Sequence, residues 1–79
     1  MQTEYKHLVF VEVPNPGKKT KRFDCRNKNS KTKLGTVKWY GHWRQYCFFT
    51  ELFIEAVYSD GCLKDISHFI NQLKIQEGR

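Results

Sequence analysis

Acidic residues are nearly missing from the middle of this chain. Between positions 18 and 50, Asp24 stands alone against ten lysines and arginines: Lys18, Lys19, Lys21, Arg22, Arg26, Lys28, Lys31, Lys33, Lys38 and Arg44. Positions 51 to 77 reverse the balance, with Glu51, Glu55, Asp60, Asp65 and Glu77 against Lys64 and Lys74. A chain of formal charge +6 whose positive side chains are gathered in this way is expected to be electrically two-sided and to attract anionic partners. Long apolar runs are also absent. Nothing approaches the roughly 20 residues that a bilayer-spanning helix requires, and the first residues lack the charged-then-apolar layout of an export signal. The expected setting is the cytoplasm, with no membrane partner.

Cysteine is scarce and odd in number. Cys25, Cys47 and Cys62 show no CxxC spacing, which argues against both a secreted disulfide framework and a structural zinc site. His7, His42 and His68 add no local ligand pair. There is no HExxH, no GxSxG and no glycine-rich phosphate loop, and the carboxylates are scattered. The sequence therefore predicts a non-enzymatic protein with no catalytic residue, no cofactor and no metal. At 79 residues there is room for one domain over positions 1–79 and for one small core, since chains this short bury only about 60% of their unfolded surface. A partner or self-association as a homo-oligomer would add to a modest stability.

The apolar segments that are present alternate like strands. "YKHLVFVEV", Tyr5 to Val13, is rich in β-branched and aromatic residues and is stopped by "PNPG". In "TKRFDCR" the side chains of Lys21, Phe23 and Cys25 share one face and those of Arg22, Asp24 and Arg26 the other. "LGTVKWYGHWRQYCFF" reads as a hairpin. A two-residue turn at Gly41 and His42 sets Tyr40 opposite Trp43, Trp39 opposite Arg44, Lys38 opposite Gln45 and Val37 opposite Tyr46. Val37, Trp39, Tyr46 and Phe48 then face inward, and Lys38, Tyr40, Trp43, Gln45 and Cys47 outward. A longer loop with Tyr40 to Trp43 at its tip exchanges these assignments on one side. Trp39, Tyr46, Phe48 and Phe49 are expected to be core, whereas Tyr40 and Trp43 divide between core and surface.

Leu52 to Tyr58 is expected to add a further strand, although its propensities also suit a helix. "SDGCLKDISHFINQLKIQEGR" carries a helix-capping Ser59 or Asp60, a final-turn Lys74 and a terminating Gly78. Its stripe is Leu63, Ile66, Phe69, Ile70 and Leu73, with Cys62 at the margin and His68 opposite. The fold class predicted is α+β: an antiparallel sheet of four or five strands with one C-terminal helix packed on one face.

The stretch "LGTVKWYGHWRQYCFF", followed by "GCLKDISHFINQL", resembles small, mostly uncharacterised proteins of bacteriophages and mobile elements. Their shared pattern is an LGx[IV]xWYxxWRxYxFF core and a CLx[DE]IxxF[IL] helix, and it covers the chain from Leu34 onward. Thr50 stands where relatives place proline after the FF pair. The resemblance implies a phage context and the cytoplasm of a bacterial host.

Nucleic acid and nucleotides are held by rings that stack on bases and by cations that neutralise phosphates. The residues of that chemistry are Tyr40, His42 and Trp43 as the platform, and Lys21, Arg22, Arg26, Lys28, Lys33, Lys38 and Arg44 as the surround. The competing readings are a stoichiometric inhibitor of a host defence enzyme and a nucleotide-sequestering sponge. Lysines that merely guard a sheet edge explain part of the basic run without any ligand.

Overall fold

The protein, seen in a computed structural model that describes residues 1–77, is a four-stranded antiparallel sheet with a C-terminal helix across one face. Strands β1 (Leu8–Val13), β2 (Arg22–Asn27), β3 (Lys33–Tyr40) and β4 (Gln45–Thr50) lie side by side in chain order, so each meets its successor through a hairpin. Helix α1 spans Asp60–Glu77. This is the α+β fold that the alternating segments and the apolar helical stripe imply.

Local chemistry sets each boundary. After β1 the chain reverses at Asn15-Pro16-Gly17-Lys18, where the Lys18 N–H donates to the Asn15 carbonyl at 3.2 Å and Gly17 takes φ 76°. Proline supplies the fixed first angle of such a turn and glycine the positive second one. At the start of α1 the Ser59 hydroxyl accepts from the Cys62 N–H at 3.2 Å, which identifies Ser59 as the N-cap. Gly78 lies outside the described residues.

One face of the sheet supplies the core. Leu8, Phe10, Phe23, Cys25, Val37 and Tyr46 are buried beneath Ile66, Phe69 and Leu73 of α1. Phe69 is the centrepiece: its ring stacks on Phe10 at 4.1 Å and meets Phe23 edge-on at 4.9 Å. The stripe is rotated slightly from expectation. Leu63 is 56% exposed, while Cys62 packs against the core. Positions 62, 66, 69 and 73 already form a complete i, i+4, i+3, i+4 line, and position 63 turns about 100° away from it. His68 is exposed on the far side of that line, yet its Nδ1 shares a 2.8 Å hydrogen bond with the Tyr5 hydroxyl.

Three expectations require correction. β1 begins at Leu8 rather than Tyr5, because the preceding residues fold back along it: the Phe10 N–H donates to the Thr3 carbonyl and the Tyr5 N–H to the Leu8 carbonyl, each at 2.8 Å. The hairpin register is shifted by two residues, with Tyr40 opposite Gln45, Trp39 opposite Tyr46 and Val37 opposite Phe48. A shift of two preserves the side-chain period, so Val37, Trp39, Tyr46 and Phe48 keep the inward face that the sequence implied. Finally, Leu52 to Tyr58 forms no strand. The chain leaves an edge strand there and must cross to the start of α1, and it is held on the way by Tyr58. That ring meets Phe48 at 6.0 Å, and its hydroxyl donates to the Leu34 carbonyl at 3.4 Å.

Candidate nucleic-acid interface

The sheet face turned away from α1 is built from the alternate residues of the same strands. Its β3–β4 end carries Lys38, Tyr40, Cys47 and Phe49, joined by a loop over positions 41–44. The loop is closed by the Trp43 N–H donating to the Tyr40 carbonyl at 3.2 Å and the Arg44 N–H donating to the Gly41 carbonyl at 3.3 Å, with Arg44 at φ 53°. Tyr40 is the hub of an aromatic group. Trp43 meets it edge-on at 5.1 Å, Phe49 edge-on at 5.7 Å and His42 at a tilt at 5.3 Å. Trp43 nevertheless leaves 66% of its surface in water. Phe49, expected in the core, lies on this outer face because it stands opposite Thr36 rather than among the inward residues. Lys38 Nζ sits 4.5 Å from the centre of its ring, a cation–π contact.

The predicted cations fall into two groups. Lys38 and Arg22, together with Lys18, Asn15, Thr20, Trp39 and Gly41, line a shallow cavity of about 390 Å³ between the β1–β2 and β3–β4 loops. Among the described residues, none of these three cations has a carboxylate within ion-pairing distance. At the opposite end of the sheet the charge is neutralised. Arg26 reaches Asp24 at 3.3 Å, Lys33 reaches Asp24 at 3.5 Å and Glu51 at 3.2 Å, and Lys28 reaches Glu4 at 2.8 Å. That last contact holds the Glu4 carboxyl below its usual range, first through the hydrogen bond and then through the ammonium charge.

Two further predicted residues belong to neither group. Lys21 precedes β2, and its N–H donates to the Tyr46 hydroxyl at 3.0 Å. Arg44 lines a separate cavity of about 230 Å³ with Trp39, Gln45, Tyr46 and Lys74. Sequence reasoning did not include Lys18 in the set. Its signal is the tight PNPG reversal, which in a meander brings the β1–β2 loop to the same end of the sheet as the aromatic hairpin.

No family model matches the sequence, and no solved structure matches it. Over 71 residues it is 44% identical to an uncharacterized 9.3 kDa protein of Acholeplasma phage L2, an alignment covering 90% of this chain and 86% of the relative. The chain belongs to a family of small phage proteins. In this phage protein no helix among the described residues is long and apolar enough to cross a membrane. Among the same residues no three His, Cys, Asp or Glu side chains converge as a metal site requires.

The thiols of the phage protein differ sharply in environment. Cys25 is fully buried, and burial pushes its thiol up to about 12, with Cys62 adding a smaller electrostatic contribution. Cys47 and Cys62 are half-buried. The folded chain holds the Cys25 proton to higher pH than the unfolded chain, whose thiol loses it near 9.0. The stability tied to this group is therefore complete below pH 9 and is lost as pH rises toward about 12. At mildly alkaline pH, Cys47 and Cys62 are expected to react promptly with a thiol reagent, while Cys25 reacts only as fast as the protein opens. Three equal reaction rates would refute this assignment.

Proposed function

We propose that this is a small, basic, non-enzymatic phage accessory protein that binds phosphate-bearing ligands, nucleic acid with unpaired bases above all, in the cytoplasm of its bacterial host. The observation that carries the reading is the pairing of an exposed Trp43, backed by Tyr40 and Phe49, with the cavity lined by Lys18, Arg22 and Lys38, whose cations no carboxylate among the described residues neutralises. On this reading the KWYGHWRQYCFF stretch is the family's binding element. Base stacking on a ring contributes roughly 1–3 kcal/mol per base. Each phosphate that a cation neutralises on a single strand adds about 0.7 to the slope of log affinity against log salt. Arg26, Lys28 and Lys33 supply less, because ligand binding there must compete with Asp24, Glu4 and Glu51.

Titration of a labelled single-stranded oligonucleotide over a range of salt concentrations tests the reading. Binding is expected to weaken steeply with salt, and the double change Arg22→Glu and Lys38→Glu to lower affinity at least tenfold with the melting temperature unchanged. Trp43→Ala is expected to cost about 1–3 kcal/mol of binding, the value of one stacked base. Salt-independent affinity, or an unaffected charge-reversed variant, would overturn the assignment. Stoichiometric capture of one host protein without oligonucleotide binding would support an inhibitor instead, and a melting temperature raised by one small nucleotide alone would support a sponge.

A further inference from the structure

The two edges of the sheet are treated differently. Along β1 the free side is partly covered: the Phe10 N–H is satisfied by the Thr3 carbonyl, and Glu4 bridges to Val9. β4, "QYCFFT", is the opposite edge, whose strand partner among the described residues is β3. It contains no lysine, no proline and no acidic residue, and the sheet's one register irregularity lies in β2. Edges that remain unpaired usually carry such guards. The residues just beyond β4 are also anomalous, since Leu52 is 85% and Phe53 97% exposed.

We infer that β4 pairs antiparallel with β4 of a second copy of this chain about a two-fold axis at Phe48, joining two sheets edge to edge. The ladder pattern admits that axis, and the residues beyond the ends of the strand choose it. The Glu51 N–H donates to the Leu34 carbonyl at 3.1 Å, extending the β3–β4 pairing. Antiparallel hydrogen bonds alternate along a strand, so Cys47 and Phe49 turn their backbone groups toward β3, while Phe48 and Thr50 turn theirs to the free side. A perpendicular two-fold must pass between equivalent residues, and Phe48 is the outward-bonding residue nearest the strand's middle.

The register that follows is complementary beyond the strand itself. It sets Gln45 opposite Glu51 of the second copy and brings the turn at Leu52 and Phe53 of each chain to the 41–44 loop of the other. The exposed apolar side chains after β4 therefore come to the end of the second copy that carries the exposed tryptophan. Each contact occurs twice, as a two-fold demands. Glu51 already reaches Lys33 at 3.2 Å within its own chain, and the Gln45 amide of the second copy would join that pair. Outward faces stay together across the axis, so the two basic, aromatic faces become continuous.

Light scattering on the purified chain across micromolar to millimolar concentrations tests the arrangement. The expected mass is twice the 9.5 kDa of one chain. Thr50→Pro removes an outward N–H without touching the β3 ladder, and Phe53→Lys alters a side chain that the monomer leaves almost fully exposed; both are expected to restore 9.5 kDa while remaining folded. A third variant reads the register. Cys47 would stand opposite Phe49 of the second copy in a non-hydrogen-bonded pair about 4.5 Å apart at Cα, within disulfide reach. Phe49→Cys under mild oxidation is expected to give a covalent dimer. A wild-type chain that stays at 9.5 kDa throughout, variants that keep the doubled mass, or no cross-link at Phe49→Cys would each overturn the proposal. A foreign strand that occupies this edge while the free chain stays monomeric would do the same.

Discussion

Phe69→Ala is expected to be the most destabilising single truncation in this chain, costing about 3–5 kcal/mol. Phe69 is fully buried, stacks on Phe10 and meets Phe23 edge-on, and so joins α1 to both β1 and β2 through one ring. Truncating a buried phenylalanine costs about 3–5 kcal/mol, from lost transfer energy and the cavity left behind. A domain of this length has roughly 4–12 kcal/mol in total on the usual per-residue range, so a single substitution removes about a quarter of it or more. The cavity will not collapse easily, because its walls come from two different strands and a helix. Urea denaturation followed by circular dichroism would show the effect as a midpoint moved far toward zero urea. A midpoint close to wild type would mean that the ring is not the keystone described.

Gly35→Ala is expected to be the most damaging change outside the core, and its direction runs against simple propensity. Replacing glycine within a strand ordinarily stabilises by about 0.4–1 kcal/mol, through a less flexible unfolded chain. At Gly35 a methyl group would press on the Phe49 carbonyl oxygen and stand 2.6 Å from Phe48 Cζ. The ring can tilt, but the carbonyl belongs to the β3–β4 ladder and cannot withdraw without parting the strands. Overpacking costs typically 1–3 kcal/mol, and the backbone obstacle places this case at the upper end, which exceeds the entropic gain. The melting temperature should fall by on the order of 10 °C or more, given about 4–8 °C per kcal/mol for domains of this size. Because Phe48 and Phe49 would shift together, oligonucleotide binding should weaken as well. A variant as stable as wild type would show that β3 and β4 tolerate separation at this point.

Much of this architecture is legible in the sequence because it depends on period and punctuation. Alternation in "RFDCR" places Phe23 and Cys25 inward, PNPG marks the first reversal, and Ser59 with the 66, 69, 73 spacing marks the helix. The hairpin illustrates the limit of such reading. Which residues face inward is correct for Val37, Trp39, Tyr46 and Phe48 but not for Phe49, which parity turns outward once Phe48 points in, whereas which residues stand opposite depends on loop length, and Gly41 alone does not distinguish a two-residue turn from the loop at positions 41–44. Leu52 to Tyr58 fails as a strand for a different reason. Its composition suits pairing, but the chain must cross from β4 to the start of α1 instead of returning along the sheet.

The candidate site shows the same division. Composition alone determined that this protein is basic through its middle and that its aromatic residues gather in one hairpin, since both are counts along the chain. Only the tertiary structure decided which cations remain available. Asp24, Glu4 and Glu51 come from three separate segments, and each is brought to a lysine or arginine by strand pairing or by the N-terminal fold-back. Lys18, Arg22 and Lys38 are spared because the two loops at the other end of the sheet contribute no carboxylate to their cavity. Ion pairing acts over a few ångströms of space regardless of separation along the chain, so a charge count can predict the field of the molecule but not where that field survives.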